Sequence, residues 1–267
     1  MTEDALEVRH LTKTFGGGRS LFGGRRHMVT AVDHVSLALR SGETLAVVGE
    51  SGSGKSTLAR MVVGLEQPTS GDMMIAGRDA GELRRQGARA FGKVVQYVFQ
   101  DPVASLNPRK TIGEILETPL KLLNGYGAGK RRARMTDLMD AVQMPADTLS
   151  RYPHEFSGGQ AQRIAIARSL AAEAQILILD EPVSALDVSV QAQVLLLLQE
   201  LKQRFGLSYL FISHDLAVVE AIADQVAVMC SGRVVEQGPV EALFGSPQDP
   251  YTRQLIGSAP RMRRTGP

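Results

Sequence analysis

The sequence predicts an α/β fold: a largely parallel sheet covered on both faces, with a helical segment inserted into it. Three observations carry this. Short apolar runs at 176–179, 209–212 and 226–229 are separated by helical stretches, notably 190–205. Strands alternating with helices make a parallel sheet that is buried on both sides. A further apolar run, 44–48, leads into a glycine-rich turn and then a helix expected over about 55–65. From 103 to about 152 the pattern changes to helical stretches with Pro and Gly breaks, which reads as an insertion into the α/β core.

The remaining elements follow in order. Residues 6–9 and 35–39 alternate in the strand manner. Between them GGGRSLFGGRRH, residues 16–27, reads as a flexible surface loop. Another strand is expected near 94–99, and a helix over 161–171. There is no internal repeat and no long low-complexity segment.

With 267 residues, 43% of them hydrophobic, the chain can bury a sizeable core, as one large domain or a core with a satellite subdomain. The formal net charge of +2 gives no indication of wholesale nucleic-acid binding. Basic residues do cluster at Arg25-Arg26, at Lys130-Arg131-Arg132 and from Arg261 to Arg264, where solvated loops or tails account for them. A single cysteine, Cys230, rules out a disulfide framework within the chain and fits a reducing compartment. The start, MTEDALEVRHLTK, lacks the apolar core of a signal peptide. No apolar run approaches the roughly 20 residues that span a bilayer. Any membrane role is expected to be served from the aqueous side.

Gly49-Glu50-Ser51-Gly52-Ser53-Gly54-Lys55-Ser56-Thr57 matches the phosphate-loop pattern G-x-x-x-x-G-K-[ST], with a strand before it and a helix after it. The glycines let successive backbone N–H groups turn toward a phosphate, and the helix N-terminus adds partial positive charge. In such a loop Lys55 reaches the β- and γ-phosphates of ATP and Ser56 ligates Mg2+. The apolar run 176–179 ends in Asp180-Glu181. Parallel sheets place ligands at such strand ends. Asp180 is suited to hold Mg2+ through water, and Glu181 to polarise the attacking water as general base. By itself the pair could equally open a turn before Pro182.

Phe156-Ser157-Gly158-Gly159-Gln160 then precedes a second helix. A glycine-rich helix start is an anion site, yet one nucleotide does not need two such loops from one chain. The second loop is therefore expected to bind nucleotide held by another subunit. A plain N-cap would explain Ser157 but not the Gly-Gly-Gln that follows.

On these motifs the chain resembles the ABC ATPase family, whose signature is usually Leu-Ser-Gly-Gly-Gln; here Phe156 replaces the Leu. The resemblance covers essentially the whole chain. It implies a phosphate-loop NTPase core with an antiparallel β subdomain and an inserted α-helical subdomain. The expected division is about 1–102 and 159–235 for the core with its β subdomain, about 103–158 for the helical subdomain and about 236–267 for a C-terminal tail. Gln100 resembles the family's glutamine loop, which senses Mg2+ and the attacking water. His214 resembles the switch histidine at the γ-phosphate. Ser184 to Asp187 looks like the loop by which two ATPase subunits touch. Phe15 looks like the aromatic residue that stacks on adenine. Implied partners are a second ATPase subunit, identical or not, two transmembrane permease subunits and, indirectly, a solute-binding protein. The implied place is peripheral, on the cytoplasmic face of the cell membrane, with no nucleic acid involved.

Finer stretches resemble the ATPases of dipeptide and oligopeptide importers, with nickel importers close by. They include Phe99-Gln100-Asp101-Pro102, Ser105-Leu106-Asn107-Pro108-Arg109, Tyr152-Pro153-His154-Glu155, Ser189-Val190-Gln191-Ala192-Gln193 and Pro250-Tyr251-Thr252-Arg253. Two positions depart from the pattern: Val183 stands where Thr is usual, and Ala161 where a basic residue is common. The chain lacks the cysteine-rich C-terminal segment that one subunit of some pairs carries, so it looks like the other partner. It is also short for a peptide-importer ATPase, which keeps nickel open as cargo; an opine is a further alternative. An accessory ATPase of a soluble metabolic complex, of the phosphonate-cleavage type, is the other reading. A DNA- or ribosome-associated ATPase is disfavoured by the single cassette and the absence of sustained heptads.

Overall fold

The structure, a computed structural model, describes residues 4–16 and 28–258. Most of the 16–27 loop and the basic clusters at Arg25-Arg26 and 261–264 therefore lie outside the described residues. Along the chain the elements are β1 (Asp4–Phe15), β2 (Val29–Arg40), β3 (Thr44–Val48), α1 (Lys55–Val62), β4 (Ser70–Ile75), β5 (Arg78–Asp79), α2 (Ala80–Arg85), α3 (Ala88–Gly92) and β6 (Val95–Val98). Then come α4 (Ile112–Leu122), α5 (Ala128–Ala141), two short 3-10 turns, α6 (Gly158–Leu170), β7 (Ile176–Asp180), α7 (Val188–Phe205), β8 (Ser208–Ile212), α8 (Leu216–Ile222), β9 (Gln225–Cys230), β10 (Arg233–Pro239), α9 (Val240–Gly245) and α10 (Pro250–Ser258).

Two sheets form. The larger has six strands in the order β10-β9-β3-β8-β7-β6. Its strands run parallel except β10, which pairs antiparallel with β9 at the edge. The smaller is antiparallel, in the order β2-β1-β4-β5. β7 shows why the larger sheet reads as continuous apolar runs. Ile176 and Ile178 face the core shared with the smaller sheet and α1, while Leu177 and Leu179 face the core shared with α4 to α7. Both faces are dry, so every position is apolar until Asp180 at the strand's end. A third core joins Ala46, Val48, Val226 and Val228 to α8 and α9, with Tyr251 and Leu255 of α10 packed against it.

Several boundaries differ from expectation for local reasons. α1 stops at Val62 rather than near 65, because Gly64 takes φ 78° and leaves Leu65 exposed. The second predicted helix starts at Gly158, three residues earlier than expected, because Ser157 and Gln160 form a reciprocal capping box. Strand β2 runs from Val29, its pairing with β1 carrying it well beyond 35–39. The stretch from 236 onward, expected as a tail, contains the end of β10, α9 and α10. The basic residues of α5 are engaged: Arg131 donates to Glu117 and to the Tyr126 carbonyl, and Lys130 lies over the Tyr126 ring. No helix among the described residues is long and apolar enough to cross a membrane.

Candidate active site

The phosphate loop spans the gap between β3, the central parallel strand, and α1. Gly49 and Gly54 are required by contact as well as conformation. A Cβ on Gly49, at φ 147°, would lie 2.1 Å from the Met229 carbonyl oxygen of β9. One on Gly54, at φ 105°, would lie 2.2 Å from the Ala31 carbonyl oxygen of β2. The loop is thus pressed between both sheets, with no room for side chains at its two ends. Glu50, Ser51 and Gly52 are exposed, whereas Ser53 and Lys55 are buried. Lys55 Nζ donates to the carbonyls of Gly49 and Glu50 at 2.7 and 2.8 Å. Burial draws its pKa below the ordinary lysine value, and the carboxylates of Glu181 and Asp180 act in the opposite sense.

Asp180, 7% exposed, ends β7 beside the loop. Its Oδ1 accepts from Ser56 Oγ at 3.2 Å and its Oδ2 from the Tyr97 hydroxyl at 2.5 Å. Burial first, and that hydrogen bond second, push the Tyr97 pKa up, so Tyr97 is a neutral donor. Ser56 and Asp180 together are hard oxygen donors, the set that takes Mg2+ alongside phosphate oxygens, so these residues fit the ion. Glu181 takes φ 48°, uncommon for a residue with a side chain, and its N–H donates to the Ile212 carbonyl of β8. Its carboxylate is held at both oxygens: Oε2 accepts from Gln100 Nε2 at 2.9 Å and Oε1 lies 3.0 Å from His214 Nδ1.

These groups share one cavity of about 640 Å³. Gly49 to Gly52, Gly54 to Thr57, Gln100, Glu181 and His214 line it, together with Ala31 and Leu255. The last two were not anticipated; one is a small strand residue and the other belongs to a short C-terminal helix, and neither carries a motif. Tyr251, also of α10, accepts the Glu50 N–H at 3.1 Å. Ser53 and Asp180 are buried and are not part of this lining.

Three predicted elements stand elsewhere. Phe15 is 40% exposed at the end of β1, with Lys13 Nζ 4.8 Å from its ring centroid. It pairs with Val29, two residues along β2 from the Ala31 that touches the loop. Ser157, Gly158 and Gln160 are exposed at the start of α6 and Gly159 is half-exposed; none of them lines the cavity. Ser157 Oγ accepts the Gln160 N–H, and the Gln160 side chain accepts the Ser157 N–H. Ser184 and Asp187 lie at the surface between β7 and α7, where Asp187 caps α7 through the Val190 N–H. The two departures from pattern, Val183 and Ala161, are both buried, where apolar side chains suit them.

Residues 32–184 match the family model described as ABC transporter. The chain is 50% identical over 96% of its length to the oligopeptide transport ATP-binding protein OppD of Mycobacterium tuberculosis, of which it spans 42%. It is 50% identical over 96% of its length to the dipeptide transport ATP-binding protein DppF of Haemophilus influenzae, of which it spans 78%. Among solved structures, the dimeric ATP-binding cassette MJ0796 bound to ADP and phosphate is similar, with a TM-score of 0.76 at 27% identity, over 88% of this chain and 98% of that one.

Proposed function

This chain belongs to the ABC transporter family, and from that premise we propose that it is the ATP-binding and hydrolysing subunit of an importer for di- or oligopeptides. The observation that carries the ATPase reading is the fixed carboxylate of Glu181, gripped by Gln100 and His214 in the cavity of the phosphate loop.

The triphosphate lies along the N–H groups of Gly49 to Thr57, at the N-terminus of α1. Lys55 leaves the loop carbonyls for the β- and γ-phosphate oxygens. Ser56 and Asp180 would hold Mg2+, which would supply positive charge against the triphosphate. Glu181 accepts the proton of a water as that water's oxygen bonds to the γ-phosphorus, and the bond to the bridging oxygen breaks to leave ADP. Gln100 and His214 aim Glu181 and contact the water and the γ-phosphate. Phe15 supports the adenine.

Ser157 to Gln160 serve the nucleotide of a second ATPase subunit. Support comes from their exposure at a helix N-terminus and their absence from the chain's own cavity. The dimeric state of the similar cassette points the same way. Closure of the two subunits moves the helical region, about 103–158, against two permease subunits, and hydrolysis reopens them. The chain works peripherally on the cytoplasmic face of the membrane, and a solute-binding protein delivers cargo to the permeases. The peptide cargo rests on the names of relatives at about half identity.

The test is affinity purification of this chain from its native membranes in mild detergent. Two polytopic membrane proteins and an ATPase partner are expected with it, and the companion solute-binding protein should bind short peptides. Recovery of soluble enzymes alone would overturn transport and leave the ATPase reading standing.

A further inference from the structure

Tyr97 is a buried residue of β6 whose hydroxyl the hydrolytic scheme above does not use. It sits where two otherwise separate features meet. On one side its ring lines a surface groove with Leu65, Phe91 and Phe99, and it packs against Phe99 at 4.6 Å between centroids. On the other its hydroxyl donates to Asp180 Oδ2 at 2.5 Å. Three residues further along, Gln100 donates to Glu181. One short stretch of chain therefore grips both adjacent carboxylates, and it can do so because β6 and β7 pair in parallel, with Val98 opposite Leu179.

A carboxylate has two equivalent oxygens, and a free one turns to offer either or both to a cation. Asp180 is not free in this sense: Oδ2 is occupied by Tyr97, and Oδ1 points at Ser56. We infer that Tyr97 is a positioning residue for the metal, presenting a single oxygen of Asp180 toward Ser56 and linking that geometry to the glutamine loop. The inference rests on the reading of Asp180 as the Mg2+ holder. Hydrogen bonds to a metal-ligating carboxylate set its orientation, and their removal typically weakens metal binding by about 10–100-fold. A hydroxyl that merely satisfied a buried acceptor would affect folding and leave metal affinity alone.

The experiment uses the full chain with a non-hydrolysable ATP analogue and reads Mn2+ affinity by electron paramagnetic resonance. Tyr97→Phe is expected to weaken Mn2+ binding about tenfold. Its affinity for the analogue in EDTA should match that of the unaltered protein. Tyr97→Met, a second side chain without a donor, should weaken Mn2+ binding alike. Asp180→Asn should weaken it further than either. Mn2+ affinity within twofold of the unaltered protein in both Tyr97 variants, with Asp180→Asn impaired, overturns the role of Tyr97 and spares that of Asp180. Unimpaired Asp180→Asn overturns the reading of Asp180 and this inference with it.

Discussion

Two of the chain's glycine-rich helix starts, those before α1 and α6, are built in opposite ways. At the first, before α1, the loop is wedged between two sheets, Lys55 is 6% exposed, and the groups it faces belong to the same chain. At the second, before α6, the residues lie at the surface, and the polar groups of Ser157 and Gln160 satisfy each other. The first is a finished pocket wall. The second is an exposed helix start that lines no cavity with the phosphate loop among the described residues. The difference teaches that glycine at a helix start marks an anion site only in general terms. What surrounds it decides whether the chain serves itself or a neighbour.

The comparison can be tested in order of effect. Glu181→Gln keeps shape and both hydrogen-bonding neighbours but removes the base at the finished site. Steady-state hydrolysis should fall by about two or more orders of magnitude while ATP binding persists. Unchanged turnover would remove Glu181 from its role. Ser157→Ala acts at the unfinished site. It should lower hydrolysis about tenfold, in line with one charge-assisted hydrogen bond to phosphate. Equilibrium binding of ATP to the lone chain should stay as it was, and an equal loss of that binding would place the second loop at the chain's own nucleotide.

The smallest effect supplies the control. Thr111 caps α4 by the same reciprocal arrangement, with Glu114, but with the single Gly113 in place of a Gly-Gly pair. Thr111→Ala should cost about 1 kcal/mol of stability, a shift of about 2–4 °C in thermal unfolding, with hydrolysis per folded molecule unaltered. Subtracting it from Ser157→Ala separates capping from ligand contact.

What was legible in the sequence was whatever is contiguous. The phosphate loop, Asp180-Glu181 and Ser157 to Gln160 are each a run of neighbours, and the strands before the first two announce themselves as dry on both faces. The convergence of Gln100 and His214 on Glu181 was carried by the family resemblance, since no spacing rule brings together residues from three strand ends. Tyr97 was not legible at all: its bond to Asp180 crosses 83 residues and depends on the parallel register of β6 with β7. Short or exposed elements such as β5, β10, α9 and α10 also escaped. Helices of six to nine residues hold too few turns for periodicity to speak, and β10 alternates only between exposed and half-buried.

The bond between the Glu50 N–H and the Tyr251 hydroxyl, with Leu255 on the cavity wall, ties a loop made early in synthesis to a helix made some 201 residues later. On the ribosome, the α/β strands through β9 can assemble as they emerge. The nucleotide cavity acquires its full wall only when α10 has followed. A chain whose synthesis stalls after β9 can hold every phosphate-binding residue named here and still lack that wall.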